Sequence, residues 1–244
     1  FLSEDHSKTF SEYLRKALLL RTQKTQDLFW NRFMSWYFVQ QKEYGKAFVQ
    51  EKSVYKRNPE TIYNIIILGK LAVEENQHED AKTIFQFILD NSTDPQLHLE
   101  AYDFLLSSRI ENALPDEYQE IYSDLNNVLG KYHQNPYLTK IVLLTARFEA
   151  FYLNNSEAAK KRLNEYLNNS LNIREQAKVK MELADIMVFD EKFNQAILFY
   201  AQVEENLKND VLAHEASMKL AKANFYKKDF DWTLQQVKNL KQSS

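Results

Sequence analysis

Residues 183–200 read LADIMVFDEKFNQAILFY, and 37 places later the chain reads LAKANFYKKDFDWTLQQV. Leu183 answers Leu220, Ala184 answers Ala221, Phe189 answers Tyr226, and Phe193 answers Phe230. The small Ala196 becomes Thr233, while charge is free to invert, Asp185 becoming Lys222 and Lys192 becoming Asp229. A pattern that keeps volume and apolarity but not charge is a packing pattern, because close-packed interiors respond to volume. A chain that repeats such a pattern stacks like units on one another and builds its core at their contacts.

The same template extends upstream. A polar turn precedes a small residue at Ala47, Ala81, Ala159, Ala196 and Thr233, with separations of 34, 78, 37 and 37 residues. The interval of 78 is about two units, so a divergent unit is expected at roughly 96–136, where AYDFLLSSRI and EYQEIYSDLNNVLGKY flank the breaker Leu114-Pro115-Asp116. Each unit reads as two helices. The first carries a small residue at its partner-facing position (Gly69, Ala146, Ala184, Ala221), preceded by a large apolar one (Leu68, Leu183, Leu220). A small side chain there lets two helices approach closely. Aromatics at Tyr44, Phe193 and Phe230 fill the corner, and Pro59, Pro95 and Pro136 are expected to end units, where a helix must stop. Only 3 glycines and 4 prolines occur in 244 residues, too few for the tight turns of a closed β architecture.

These runs, Leu68-Gly69 to Phe85, Leu183-Ala184 to Tyr200 and Leu220-Ala221 to Phe230, resemble the tetratricopeptide repeat family. The resemblance implies an all-α, right-handed α-solenoid of antiparallel helix pairs. It places a capping helix within 1–26 and about six pairs over 27–244, with the array continuing past Ser244. It also implies a non-catalytic scaffold that holds a peptide or protein segment in a concave groove. In that register the groove residues are Arg32, Trp36, Lys70, Phe148, Tyr152, Asp185, Lys222 and Tyr226. Spacing above 34 and Ile65, Leu143 or Lys180 at the family's tryptophan position are similar to envelope-associated members in bacteria, which points to periplasm or cell envelope. The recurring Lys and Asn of the family's carboxylate clamp are absent.

The N-terminal helix is expected over 3–22, capped by Ser3 with Glu4 and Asp5 in its first turn, and packed through Tyr13, Leu14, Ala17, Leu18 and Arg21. The stretch LFWNRFMSWYF (28–38) is apolar almost all round, which fits burial between neighbours or a groove lining. Catalytic and cofactor signals are missing: no cysteine, no paired histidines, no glycine-rich phosphate loop and no nucleophile elbow. No metal or cofactor is therefore expected. A net charge of −3 offers no field for nucleic acid, and no apolar run reaches the ~18 residues of a membrane span. Residues 76–130 hold two Lys/Arg against eleven Asp/Glu, an acidic band that solubility or a basic partner would explain. The alternatives to a free-standing scaffold are an accessory region of a larger enzyme or secretion or assembly complex, and an RNA-binding helical repeat.

The packing pattern predicts that Ala184→Trp disrupts the fifth and sixth units, since an indole has no room at a close helix contact. Thermal melting checks it, and an unchanged midpoint would show the register to be wrong.

Overall fold

The computed structural model describes residues 8–25, 27–208 and 210–242. Among them are thirteen α-helices and no strand. Helix α1 (Lys8–Lys24) is followed by the pairs α2 (Leu28–Gln40) with α3 (Tyr44–Tyr55) and α4 (Ile62–Glu74) with α5 (His78–Asn91). Then come α6 (Pro95–Glu111) and α7 (Tyr118–Lys131), α8 (Thr139–Arg147) and α9 (Ser156–Leu167), α10 (Ile173–Phe189) and α11 (Phe193–Asn206), and α12 (Val211–Tyr226) and α13 (Phe230–Gln242). The fold class is the expected one, all-α and built from antiparallel helix pairs. The helices form two compact units that divide in sequence between Leu105 and Leu106, inside α6.

One backbone event recurs at the turn inside five pairs. Lys42, Asn76, Asn154, Glu191 and Lys228 have φ of 56°, 59°, 51°, 60° and 70°, the left-handed region, and none is glycine. Each lies five residues before the small residue that marks its unit: Ala47, Ala81, Ala159, Ala196 and Thr233. The four alanines are fully buried and Thr233 is half-buried. The left-handed residue reverses the chain, and the next amide donates back into the first helix, as in a Schellman closure. Those bonds are Glu43 N–H to Phe38 O at 2.9 Å, Gln77 to Ala72 at 2.8 Å, Lys192 to Met187 at 2.8 Å, and Asp229 to Asn224 at 2.9 Å. Each spans five residues. The pair α6/α7 has no such turn; there Pro115 opens a short 3-10 turn and Glu117 accepts from the Leu114 amide at 2.9 Å.

Seven residues before the left-handed position the chain places its second small residue: Ser35, Gly69, Ala184 and Ala221, all buried. The space at Gly69 is limited, since a Cβ there would lie 3.1 Å from both Ile84 and Phe85 of α5. The fourth pair departs from this count. Ala146, also fully buried, precedes Asn154 by eight residues. The extra residue is taken up by a π turn at Phe148–Tyr152, and the closing bond of that hairpin spans six residues, Asn155 N–H to Glu149 O at 2.8 Å.

In the first unit one apolar core joins Leu18 of α1, Met34, Tyr37 and Phe38 of α2, Ala47 and Phe48 of α3, Ile65 and Ile66 of α4, and Ile84, Phe85 and Ile88 of α5. In the second unit Ala184, Met187, Ala196, Tyr200, Val203, Ala216 and Leu220 form a core among α10, α11 and α12. Two of the prolines expected to end units open elements rather than close them, Pro95 as the first residue of α6 and Pro59 of a 3-10 turn before α4, sites where a missing amide hydrogen removes nothing, while Pro136 lies in the turn between α7 and α8. Helix α1 packs through Leu14 and Leu18, with the Ser11 hydroxyl 2.7 Å from Tyr37 Oη. Tyr13 and Ala17, expected on its packing face, are exposed, because α2 meets the adjoining stripe. The expected cap at Ser3, Glu4 and Asp5 lies outside the described residues.

A β-carbon makes the left-handed conformation unfavourable by about 1–2 kcal/mol. Glu191 is exposed, so Glu191→Gly is expected to raise stability by about 1 kcal/mol in denaturant unfolding, whereas Glu191→Val lowers it.

Candidate functional site

In the first, second, fifth and sixth pairs the residues six before the left-handed turn form a lane along the first helices: Trp36, Lys70 and Lys222, which are exposed, and Asp185, which is half-buried. A constant 37-residue register puts Phe148 in that series. The π turn corrects this. Its added residue moves the lane position to Arg147 and turns Phe148 inward, where it is fully buried between Tyr118 (5.5 Å) and Tyr152 (5.3 Å). Phe148 is a core residue and offers nothing to a partner.

In the first unit the lane is aromatic. Phe29, Phe33 and Trp36 form a line along α2 with centroid separations of 6.0 and 5.7 Å, and Phe29 and Trp36 are exposed. The stretch expected to be either core or groove is both: Met34, Tyr37 and Phe38 face the core, and the Phe29 line faces out. Arg32 is exposed on α2, and the Arg21 guanidinium stands 5.5 Å from the Trp30 ring. At matching positions of α4 stand Tyr63, Ile67 and Lys70, all exposed. The Tyr63 hydroxyl donates to Asp94 at 2.7 Å, and Lys70 ion-pairs with Glu100 of α6.

In the second unit the same lane is ionic. Arg147 Nε donates to both oxygens of Glu182 on α10 at 2.8 Å, and Nη2 adds a contact at 2.7 Å. Glu182 is buried to 2% exposure, while the guanidinium side chain remains 57% exposed, so the cation covers the anion. Burial pushes the Glu182 carboxyl above the ordinary carboxylate range, and Arg147 opposes this. One turn on, Asp185 accepts from Tyr200 Oη at 2.6 Å and from Lys219 Nζ at 2.5 Å. Burial and the Asp185 bond push the Tyr200 phenol well above its usual value. Lys219 also reaches Glu215 at 3.2 Å, and Lys222 and Tyr226 stand exposed beyond it. Asp185 is thus committed to holding α11 and α12 against α10.

Beside this ladder runs a row of rings that the 37-residue register left incomplete. Phe151 meets Phe189 edge-on at 5.1 Å, joining the fourth pair to the fifth. Phe193 and Tyr226 lie 6.4 Å apart, joining the fifth to the sixth, and Phe225 extends the row to Phe230 at 5.6 Å. Phe151, Tyr152, Phe189, Phe225, Tyr226 and Phe230 are all exposed. Phe151, Tyr152, Phe189, Phe225 and Tyr226 lie two or three residues before the left-handed turn, and Phe193 and Phe230 two after it, counts that need the turn located first.

The acidic stretch is largely committed to contacts within the chain. Asp80 accepts from the Gly45 amide at 2.8 Å, Asp124 pairs with Arg109 at 2.7 Å, and Glu120 pairs with the same arginine at 3.0 Å. Among the described residues no group of three or more His, Asp and Glu side chains is placed to hold a metal, and no helix is long and apolar enough to cross a membrane.

No family model matches the sequence, and no curated protein sequence matches it. Solved structures do. A signal-transduction ATPase with a tetratricopeptide repeat sensor from Pyrococcus horikoshii matches with a TM-score of 0.61 at 17% identity over 94% of this chain. The chain spans 34% of that protein. A tetratricopeptide repeat protein of Thermus thermophilus matches at 0.52 and 15% identity, covering 82% of this chain and all of that one. PilF of Pseudomonas aeruginosa matches at 0.55 and 14% identity, covering 95% and 92%. The fold is that of the tetratricopeptide repeat proteins.

Removing the arginine would leave a buried carboxylate without its cover. Arg147→Ala is expected to destabilise the chain by roughly 1.5–3 kcal/mol at neutral pH. The sign with pH follows from Glu182. Its folded-state pKa is already raised, and losing Arg147 raises it further, so stability is kept below the ordinary glutamate value of about 4.3 and lost as pH rises above it. Denaturant midpoints for both proteins at about pH 4 and about pH 7 measure this, with the deficit confined to the higher pH.

Proposed function

We propose that the chain is a non-catalytic interaction scaffold that captures a peptide or protein segment along the exposed faces of its first helices. The contact between Phe151 and Phe189 carries this reading. Exposed rings of the fourth and fifth pairs touch, so the apolar surface there crosses from one pair to the next, and a second set of rings joins the fifth pair to the sixth. Rings supply contact area with few rotatable bonds, and the adjoining Arg147 and Lys222 supply orientation. Of the residues read from sequence, Trp36, Tyr152 and Tyr226 are the exposed anchors, Arg32, Lys70 and Lys222 the exposed charges, and Asp185 a brace behind the surface.

A second reading draws on the Pyrococcus protein, in which a tetratricopeptide repeat sensor is joined to an ATPase. By that analogy the surface would report ligand occupancy to a further part of a larger protein. Both readings require a peptide-sized ligand on the aromatic row.

Selection of peptides from a random library on the purified chain tests the proposal. Phe189→Ala and Tyr226→Ala are each expected to weaken the selected peptides about tenfold or more while leaving the melting midpoint within about 2 °C. Failure to select any peptide, affinity unchanged by either substitution, or tight, salt-sensitive binding of single-stranded RNA in its place would overturn it.

A further inference from the structure

The first hairpin holds a buried carboxyl group where the second, fourth and fifth hairpins hold a ring or a leucine. Nine residues after the left-handed turn stand Phe85, Leu163 and Tyr200 in the second, fourth and fifth pairs, all buried. The first pair places Glu51 there, only 8% exposed. Facing it on α2 are Asn31 and Ser35, 6% and 4% exposed and one turn apart. Asn31 Nδ2 donates to Gln50 Oε1 at 3.0 Å, and the Ser35 hydroxyl bonds the Glu51 carboxyl. Two buried oxygens of this cluster, Glu51 Oε2 and Asn31 Oδ1, have no hydrogen-bond partner in the protein.

Both orphans are acceptors on facing turns of α2 and α3, and an ionised Glu51 could satisfy neither. One proton changes the count: a neutral carboxyl has a hydroxyl to donate, and an amide oxygen is available to receive it. We propose that Glu51 is held as the neutral acid, that its hydroxyl serves Asn31 across the hairpin, and that ionisation loosens α2 from α3. The groups acting on Glu51 are both on α2: Ser35, and the exposed Arg32, which favours the anion. Helices α1, α4 and α5 contribute apolar side chains to the surrounding core: Leu14 and Leu18, Ile65 and Ile66, Ile84 and Phe85. Burial outweighs both helpers and pushes the Glu51 carboxyl up. Because α2 also bears Arg32 and Trp36, the state of this proton sets how firmly the aromatic lane of the first unit is held.

The sign is that of an acid whose folded pKa exceeds its unfolded one. The stability is whole below about 4.3 and falls as pH rises through the raised value. Glu51→Gln keeps the shape and carries a permanent donor; Glu51→Leu restores the residue type of the fourth pair. The test follows unfolding in a Trp232→Phe background, where Trp30 and Trp36, both on α2, report on the first unit. Glu51→Gln is expected to melt within about 1 °C of the parent near pH 4 and roughly 3 °C or more above it near pH 7.5, whereas Glu51→Leu, which leaves Asn31 and Ser35 without their partner, is expected to melt below the parent near pH 4. A gap that stays constant with pH, a Glu51→Gln variant less stable than the parent at neutral pH, or a Glu51 carbon-13 carboxyl titration at the ordinary glutamate value would overturn the proposal. Those results would show an ionised, hydrated carboxylate.

Discussion

A single left-handed residue inside the hairpin turn sets the register for the rest of the structure. Five pairs place one there, and distances counted from it assign the other roles: a small residue five after in all five, a small residue seven before and the lane six before in all but the fourth, and a buried residue nine after in all but the sixth. None of the five is glycine, so each turn holds a conformation that a β-carbon disfavours. The strain persists because the reversal lets the following amide close the first helix and brings the second helix back against it, as where Gly69 admits Ile84 and Phe85. Packing at the buried alanines and at Gly69 then over-determines the turn that makes it possible.

The fourth pair shows how firmly that register is held. An inserted residue between Ala146 and Asn154 is absorbed neither by the turn nor by the small contacts, which keep their places, but by one π turn. Glu149, within that turn, is buried and accepts from Tyr122 Oη at 2.7 Å and from Arg162 at 2.6 and 3.0 Å. The irregular stretch is therefore anchored by charge-assisted bonds. Its consequence for the candidate surface is direct: Phe148 goes inward, Arg147 takes the lane, and Phe151 reaches Phe189. A local accommodation in backbone geometry determines which ring and which cation the second unit displays.

What could be read from sequence follows the same division. The pairs were legible because Ala47, Ala81, Ala159 and Ala196 answer to volume, and volume leaves a mark at fixed spacing. Ser35 belongs to the first-helix series of Gly69, Ala184 and Ala221 and was hidden by its polarity, which a template of apolar residues passes over. The displaced Phe148 was illegible because an insertion can enter a loop or a helix, and only the backbone shows which. Tyr13 on α1 misled because Tyr13 and Leu14 sit on adjoining stripes of one helix, and the choice depends on where α2 lies. The two units divide the lane chemically, aromatic along α2 and ionic along α8, α10 and α12. Such a difference suits one fold presenting different surfaces, since the charge of the exposed lane residues Trp36, Lys70, Arg147 and Lys222 is not constrained by core packing, while Asp185 braces the fifth pair from behind.

The account depends on the closing bonds of the hairpins, and scalar couplings across hydrogen bonds in solution NMR measure those directly. The amides of Glu43, Gln77, Lys192 and Asp229 should couple to the carbonyls of Phe38, Ala72, Met187 and Asn224, and the amide of Asn155 to the carbonyl of Glu149. Coupling of Asn155 to Ala150 instead would place the inserted residue elsewhere, return Phe148 to the lane, and contradict the register on which the candidate surface is built.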